Sequence, residues 1–262
     1  MTSVTAPAPA RKERRFPRFD RVERAVHWFN ATLFGILIFT GASLKVGTFA
    51  TLVAHRHAVK TIHVYAGLLL PLPLLIGIVL PAGRQLRRDL SRFNRWSRDD
   101  KRWWTRRNRS QVQLGKFNPG QKLNGIFVGA TIVVMLVTGS IMRWFKPFPD
   151  SWRTGATFVH DSTFLVVCIV VAGHIMFAVA DPDSLRSMVR GCVPEQWARR
   201  ERPQWWAEVV SARAGRVSGD AAGDVGAGAE QRARESRIGA GEMAVGDGVD
   251  GGAADRLGGG EL

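Results

Sequence analysis

Four apolar segments, each long enough to cross a membrane as a helix, constrain the fold of this chain more than any other feature. They lie at about residues 22–47, 59–81, 122–144 and 154–180. About 20 apolar residues in a helix span a hydrocarbon core about 30 Å thick. We expect Pro71 and Pro73 to kink the second segment, which membrane helices tolerate. The sequence therefore predicts an all-α membrane protein built as a bundle of four transmembrane helices.

Basic residues between these segments predict the orientation of the bundle. Seven Lys and Arg lie from Arg11 to Arg24, around the start of the first segment, and twelve lie in the connection 82–121, whereas the other two connections carry only a few. Because basic connections stay in the cytoplasm, we expect both termini and residues 82–121 on that side of the cell (inner) membrane. The net charge of +15 then indicates contact with membrane lipid rather than with nucleic acid.

The remaining chain divides by composition. Residues 1–15 form a basic N-terminal segment that we expect to be disordered, and residues 16–203 hold the four-helix domain. From residue 204 to 262 the chain is rich in Gly, Ala and charged residues. Such a composition buries little apolar surface, so it predicts a disordered tail.

Four histidines sort into two pairs by depth in the membrane. His160 and His174 stand fourteen residues apart in "HDSTFLVVCIVVAGH", which is about 21 Å along a helix and nearly on one face. The predicted topology places His63 level with His160 at the outer end, and His27 level with His174 at the cytoplasmic end. Two facing imidazoles can hold one haem iron. The alternative is four unrelated histidines that cap helices or bond to neighbouring carbonyls.

Glycines repeat with the same spacing as the histidines. Gly41 and Gly77 each follow a pairing histidine by fourteen residues, and Gly125 and Gly139 are also fourteen apart. Missing side chains at these depths would leave room for flat macrocycles. Close packing of membrane helices is the alternative explanation.

A polar stretch, "GKFNPGQKLNG" at residues 115–125, precedes the third segment. It combines a Pro-Gly turn with Asn118, Gln121 and Asn124, whose amides both donate and accept hydrogen bonds. Taken alone, it indicates a turn that leads into a helix on the cytoplasmic side.

Three stretches together resemble one family. "RFDRVERAVHW", "GKFNPGQK" and "HDSTFLVVCIVVAGH" are similar, in this order over about residues 16–200, to the gamma subunit of respiratory formate dehydrogenase, a dihaem cytochrome b. The resemblance implies a subunit that anchors an iron–sulfur subunit and a catalytic formate dehydrogenase subunit. It also implies that electrons pass through two b haems to a membrane quinone, for which menaquinone is the expected species.

The resemblance assigns residues to each group. The haem-iron ligands would be His63 with His160 in the outer site and His27 with His174 in the cytoplasmic site. The quinone pocket would be lined by Asn118, Gly120, Gln121 and His174.

The chain contains only two cysteines, so no iron–sulfur cluster of its own is implied. It has neither a dinucleotide motif nor a molybdenum-site signature, and we expect no residue catalytic for formate oxidation. As an enzyme component it would be the electron-transfer subunit only. Two alternatives stay open: the cytochrome b subunit of a nickel–iron hydrogenase or another quinone-linked reductase, and a non-redox membrane anchor or small transporter.

Overall fold

The computed structural model describes residues 14–45, 55–105 and 112–246, without the side chains of 219–227 and 236–246. Its elements in chain order are strand β1 (Arg15–Pro17), helices α1 (Arg21–Lys45), α2 (Arg56–Leu69), α3 (Leu72–Val79), α4 (Arg84–Phe93), α5 (Arg98–Trp104), α6 (Pro119–Arg143), α7 (Asp150–Ala180) and α8 (Pro182–Arg190), strand β2 (Cys192–Pro194), and helices α9 (Glu195–Glu201) and α10 (Pro203–Gly246). A 3₁₀ turn, Pro81–Gly83, joins α3 to α4.

Within these ranges, four stretches are long and apolar enough to span a membrane: Arg21–Lys45, Arg56–Val79, Pro119–Arg143 and Asp150–Ala180. They match the four predicted segments, which confirms the all-α membrane fold; positions 46 and 47 of the first segment lie outside the described residues. The second stretch breaks between α2 and α3 at Leu70 and Pro71, as the two prolines predict. Large apolar side chains on these stretches are exposed, among them Phe39, Ile169 and Phe177. Such side chains face lipid in a membrane.

The bundle is built from two helix pairs. α1 packs against α2, α6 packs against α7, and α2 contacts α6 so that the pairs join. α7, the longest of the four with 31 residues, also contacts α1. Side chains from α1, α2 and α7 therefore meet inside one bundle.

One end of the bundle carries residues 82–105 and 112–121 and is called the basic end here. There β1 pairs antiparallel with β2, with Phe16 opposite Val193, so the chain before α1 is fastened to the chain after α7. Gly191 ends α8 with a φ of 82°, and a Cβ there would lie 2.8 Å from the carbonyl oxygen of Phe19. Only glycine suits this turn. Because Arg15 starts β1, the predicted disorder of residues 1–15 is wrong at that residue, and residues 1–13 are not described.

The structure also differs from the predicted disordered tail. Residues 203–246 form α10, and residues 207–262 make up a unit separate from the rest of the chain. The sequence after Pro203 contains no proline and many Ala, Arg and Glu residues, which favour a helix. Its side chains at 211–218 are exposed. The predicted tail beyond residue 246 lies outside the described residues.

Candidate haem centres and quinone pocket

The structure brings the histidines together in the two pairs predicted from depth. His63 on α2 and His160 on α7 have ring centroids 6.3 Å apart, with an interplanar angle of 66°. His27 on α1 and His174 on α7 have centroids 6.3 Å apart, with an angle of 61°. Because both pairs share α7, they lie about 21 Å apart along its axis.

Each separation fits one metal ion between two imidazoles. An imidazole nitrogen lies about 2.0–2.1 Å from a first-row metal ion, and about 1.1 Å from its own ring centroid. Two imidazoles that bind one metal ion from opposite sides therefore have ring centroids about 6.2–6.4 Å apart. This agrees with the 6.3 Å observed in both pairs. The donor set therefore fits a six-coordinate haem iron, whose axial ligands are two neutral imidazoles.

Glycines lie directly against the His63–His160 pair. A Cβ added at Gly41 would lie 3.4 Å from Cε1 of His63, and one added at Gly139 would lie 3.4 Å from Cε1 of His160. Each imidazole therefore rests against a helix backbone without a side chain between them. The predicted placement of Gly41 at the depth of this pair agrees with the structure.

The glycines nearer the basic end have a different role. A Cβ at Gly77 would lie 2.8 Å from side-chain atoms of both Leu86 and Val26, and one at Gly125 would lie 3.0 Å from the Phe93 ring. Protein side chains fill the space beside these glycines. The structure thus favours close packing, the alternative explanation, at Gly77 and Gly125.

Threonines next to Gly41 and Gly139 contact the same pair of histidines. Thr40 Oγ1 lies 2.8 Å from Nδ1 of His63, and Thr138 Oγ1 lies 2.9 Å from Nδ1 of His160. Sequence reasoning missed both threonines. The signal was present as a Thr-Gly dipeptide that occurs in both α1 and α6.

The His27–His174 pair lies near the basic end. His27 is six residues after the start of α1 and His174 is six residues before the end of α7, so both are about 9 Å from those helix ends. His27 is half-buried against the edge of Trp28, whose ring centroid is 5.3 Å away, while His174 is exposed. A large flat group can therefore approach His174 from the side.

Asn118, predicted to contact quinone, is the N-cap of α6. Its Oδ1 accepts a hydrogen bond from the backbone N–H of Gln121 at 2.8 Å, and Gln121 Oε1 accepts one from the backbone N–H of Asn118 at 3.1 Å. This reciprocal capping box uses the side-chain oxygen of Asn118 and leaves its amide N–H groups to act as donors. The predicted turn leading into a helix is thus confirmed.

Two more of the predicted pocket residues, Gly120 and Gln121, lie in the same turn. A Cβ at Gly120 would lie 3.5 Å from Oδ1 of Asn118 and 3.6 Å from the Trp103 ring. Gln121 Oε1 also accepts a hydrogen bond from Arg202 at 3.4 Å. Among the described residues, no hydrogen bond links this turn to His174. A quinone would therefore have to lie between the turn and His174 to contact both.

Buried Arg18 connects this turn to the chain after α7. Its guanidinium donates to Ser184 Oγ at 2.9 Å and to the carbonyl oxygen of Lys116 at 3.4 Å, and it lies 4.6 Å from the Trp197 ring centroid. Burial, and next the charge of Arg202, lower the pKa of Arg18 to about 9, so the group stays cationic at neutral pH.

Lys116 has a different role from the one predicted. It is one of the basic residues from which the orientation of the chain is predicted, but its side chain is 1% exposed and pairs with Glu23, at 3.2 Å, and with Asp89. These carboxylates belong to α1 and α4. Lys116 therefore joins two helices to the Asn118 turn through buried ion pairs.

Four membrane-spanning helices with paired imidazoles at two depths define a class: multi-pass membrane proteins that can hold haem inside a helical bundle. The chain belongs to the prokaryotic cytochrome b561 family, whose sequence model matches residues 18–191. Membership of this cytochrome b family implies haem b as the prosthetic group.

The identity of this chain to individual relatives is modest. The chain is 27% identical over 110 residues to the cytochrome b556(Fdn) subunit of the nitrate-inducible formate dehydrogenase of Escherichia coli K12, covering 41% of this chain and about half (51%) of that relative. It is 25% identical over 196 residues to the formate dehydrogenase cytochrome b556 subunit of Haemophilus influenzae, covering 71% of this chain and 80% of the relative. The cytochrome b556(fdo) subunit from Escherichia coli K12 is 23% identical over 206 residues, 73% of this chain and 92% of its own length.

Proposed function

We propose that this chain is the membrane cytochrome b subunit of a formate dehydrogenase. It receives electrons from an iron–sulfur subunit and passes them, through two b haems, to a membrane quinone. The observation that carries the proposal is the 6.3 Å centroid separation in both histidine pairs. The relatives named above support the formate branch, because each is a formate dehydrogenase cytochrome b556 subunit.

Each residue of the two pairs has a defined task in this proposal. His63 and His160 would hold one haem at the end away from the basic end, and His27 and His174 would hold another near it. Haem b held there would supply one-electron transfer. Gly41 and Gly139 let the rings of His63 and His160 lie against the helix backbone.

The orientation completes the proposal. If the basic end faces the cytoplasm, the His63–His160 pair faces the electron donor and the His27–His174 pair faces the quinone. Asn118 then donates from its amide to a quinone carbonyl oxygen as negative charge develops there. The two protons that a quinone takes up on reduction would come from the cytoplasm.

A reduced-minus-oxidised visible spectrum of the purified protein, with haem quantitation, tests the proposal. We expect a b-type band and two haems per chain. Absence of that band would refute the haem proposal and favour a non-redox anchor.

Histidine variants test the pairing. Replacing His63 or His160 by alanine is expected to remove one spectroscopic component, and replacing His27 or His174 the other. Exposed His57 gives a matched control, and His57→Ala should keep both components. Loss of the same component from His63→Ala and His27→Ala would contradict the pairing.

Co-purification distinguishes the formate branch from hydrogenases and other reductases. A tagged chain, extracted in mild detergent from its own organism, is expected to bring down an iron–sulfur subunit and a subunit that oxidises formate. Recovery of a nickel–iron hydrogenase instead would reject the formate branch while leaving the haem centres in place.

A further inference from the structure

Two buried threonine hydroxyls lie against the imidazoles of one histidine pair only. Thr40 and Thr138 are 5% and 8% exposed, and their Oγ1 atoms lie 2.8 and 2.9 Å from Nδ1 of His63 and His160 respectively. The two threonines come from different helices, α1 and α6, yet make the same contact. Among the described residues, the structure has no hydrogen bond from a protein group to the ring of His27 or His174.

The direction of these hydrogen bonds follows from a count of protons. Thr40 Oγ1 is also 2.7 Å from the carbonyl oxygen of Ile36, and Thr138 Oγ1 is 2.7 Å from that of Val134. A hydroxyl has one proton, and a carbonyl oxygen can only accept. A threonine hydroxyl that donates to the carbonyl four residues earlier can therefore only accept from the imidazole.

This assignment sets the tautomer of both rings. Nδ1 of His63 and of His160 carries the proton and donates it to a threonine oxygen, which leaves the lone pair of Nε2 free to bind a metal. A hydrogen bond from the distal N–H of a metal-bound imidazole makes that ligand more basic and holds its orientation.

We propose that Thr40 and Thr138 are positioning residues that lower the reduction potential of the haem held by His63 and His160, relative to the haem held by the other pair. This inference rests on the proposed function. A more basic axial ligand stabilises ferric over ferrous iron, and hydrogen bonds around a haem are among the factors that set its potential. The pair without hydroxyl partners is left at a higher potential. The difference favours electron transfer toward the basic end.

The test replaces each threonine by valine, which has nearly the same shape and no hydroxyl. In Thr40→Val and Thr138→Val we expect two haems per chain and a raised midpoint potential for one spectroscopic component. At a fixed applied potential its ratio of reduced to oxidised form should rise about tenfold, equivalent to about 59 mV for a one-electron couple. The low-spin ferric EPR signal of that component should also shift, and the other component should keep its potential.

Two further variants complete the design. Thr40→Ser and Thr138→Ser retain a hydroxyl and should restore the wild-type potential. Thr32→Val is the matched control, because Thr32 Oγ1 donates to the carbonyl of Trp28 at 2.9 Å in the same helix and has no hydrogen bond to a histidine among the described residues. It should leave both components unchanged.

The outcomes separate this inference from the proposed function. A wild-type protein without two haems would refute the proposed function before any variant is made. With two haems present, unchanged potentials in both valine variants, or equal shifts in both components, would overturn the role of the threonines. Loss of one haem in the valine variants but not in the serine variants supports it, since the hydroxyl is then needed to hold the ring; equal loss in both kinds of variant overturns it.

Discussion

Asn118 can be tested for two separate roles: capping α6, and donating a hydrogen bond to a quinone. Aspartate at 118 keeps an oxygen to accept the Gln121 N–H and caps helices as well as asparagine does, but it lacks the amide donor. Alanine removes both functions. Asn118→Asp and Asn118→Ala therefore separate the cap from the donor.

The expected magnitudes follow from the two hydrogen bonds. Loss of the cap in Asn118→Ala should lower the free energy of unfolding by about 0.5–2 kcal/mol, whereas Asn118→Asp should leave it nearly unchanged. Loss of one hydrogen bond to the quinone should cost about 0.5–1.5 kcal/mol. At about 1.4 kcal/mol for each factor of ten, quinone-dependent reoxidation should slow about twofold to tenfold in both variants.

The assay is stopped-flow reoxidation of the dithionite-reduced protein by a soluble quinone, followed at the b-type absorption band, with thermal denaturation in the same detergent. Asn124→Asp is the charge control, because it adds a carboxylate to the next turn of α6 without removing the donor at 118. Reoxidation at the wild-type rate in Asn118→Asp, together with reduced stability of Asn118→Ala, would refute the quinone role and leave Asn118 as a helix cap alone.

Two further predictions concern packing. Gly41→Leu should reduce the amount of the haem component assigned to His63, because even a Cβ added at this position would lie 3.4 Å from the His63 ring. Gly77→Leu should instead lower the melting temperature, since its Cβ would lie 2.8 Å from two neighbouring side chains; selective loss of one haem in Gly77→Leu would contradict this. Lys116→Met should destabilise the protein by about 3–5 kcal/mol in thermal or denaturant unfolding, because it leaves buried Glu23 without its cation and removes one of the two cations that pair with Asp89. A change below about 1 kcal/mol would show that the carboxylates shed their charge at little cost.

Residues near the histidine pairs and the Asn118 turn show where sequence reasoning reached its limit. The depths of His160 and His174 could be predicted because a helix advances a constant distance per residue. The two threonines and Lys116 could not be assigned in this way. Their roles depend on atoms from other helices, as when Thr138 on α6 meets His160 on α7.

What the sequence by itself determined is the membrane bundle and the level of each histidine within it. Apolar length decides which segments span, and helical spacing along a single segment decides depth; neither needs knowledge of a neighbour. The tertiary structure decided which groups touch. It determined the two histidine pairs with ring centroids 6.3 Å apart and the contact of the Thr40 hydroxyl with Nδ1 of His63. It also placed the buried Lys116 between Glu23 and Asp89. Contacts between helices depend on their rotation and packing, and those result from the interactions of the whole bundle rather than from any local pattern.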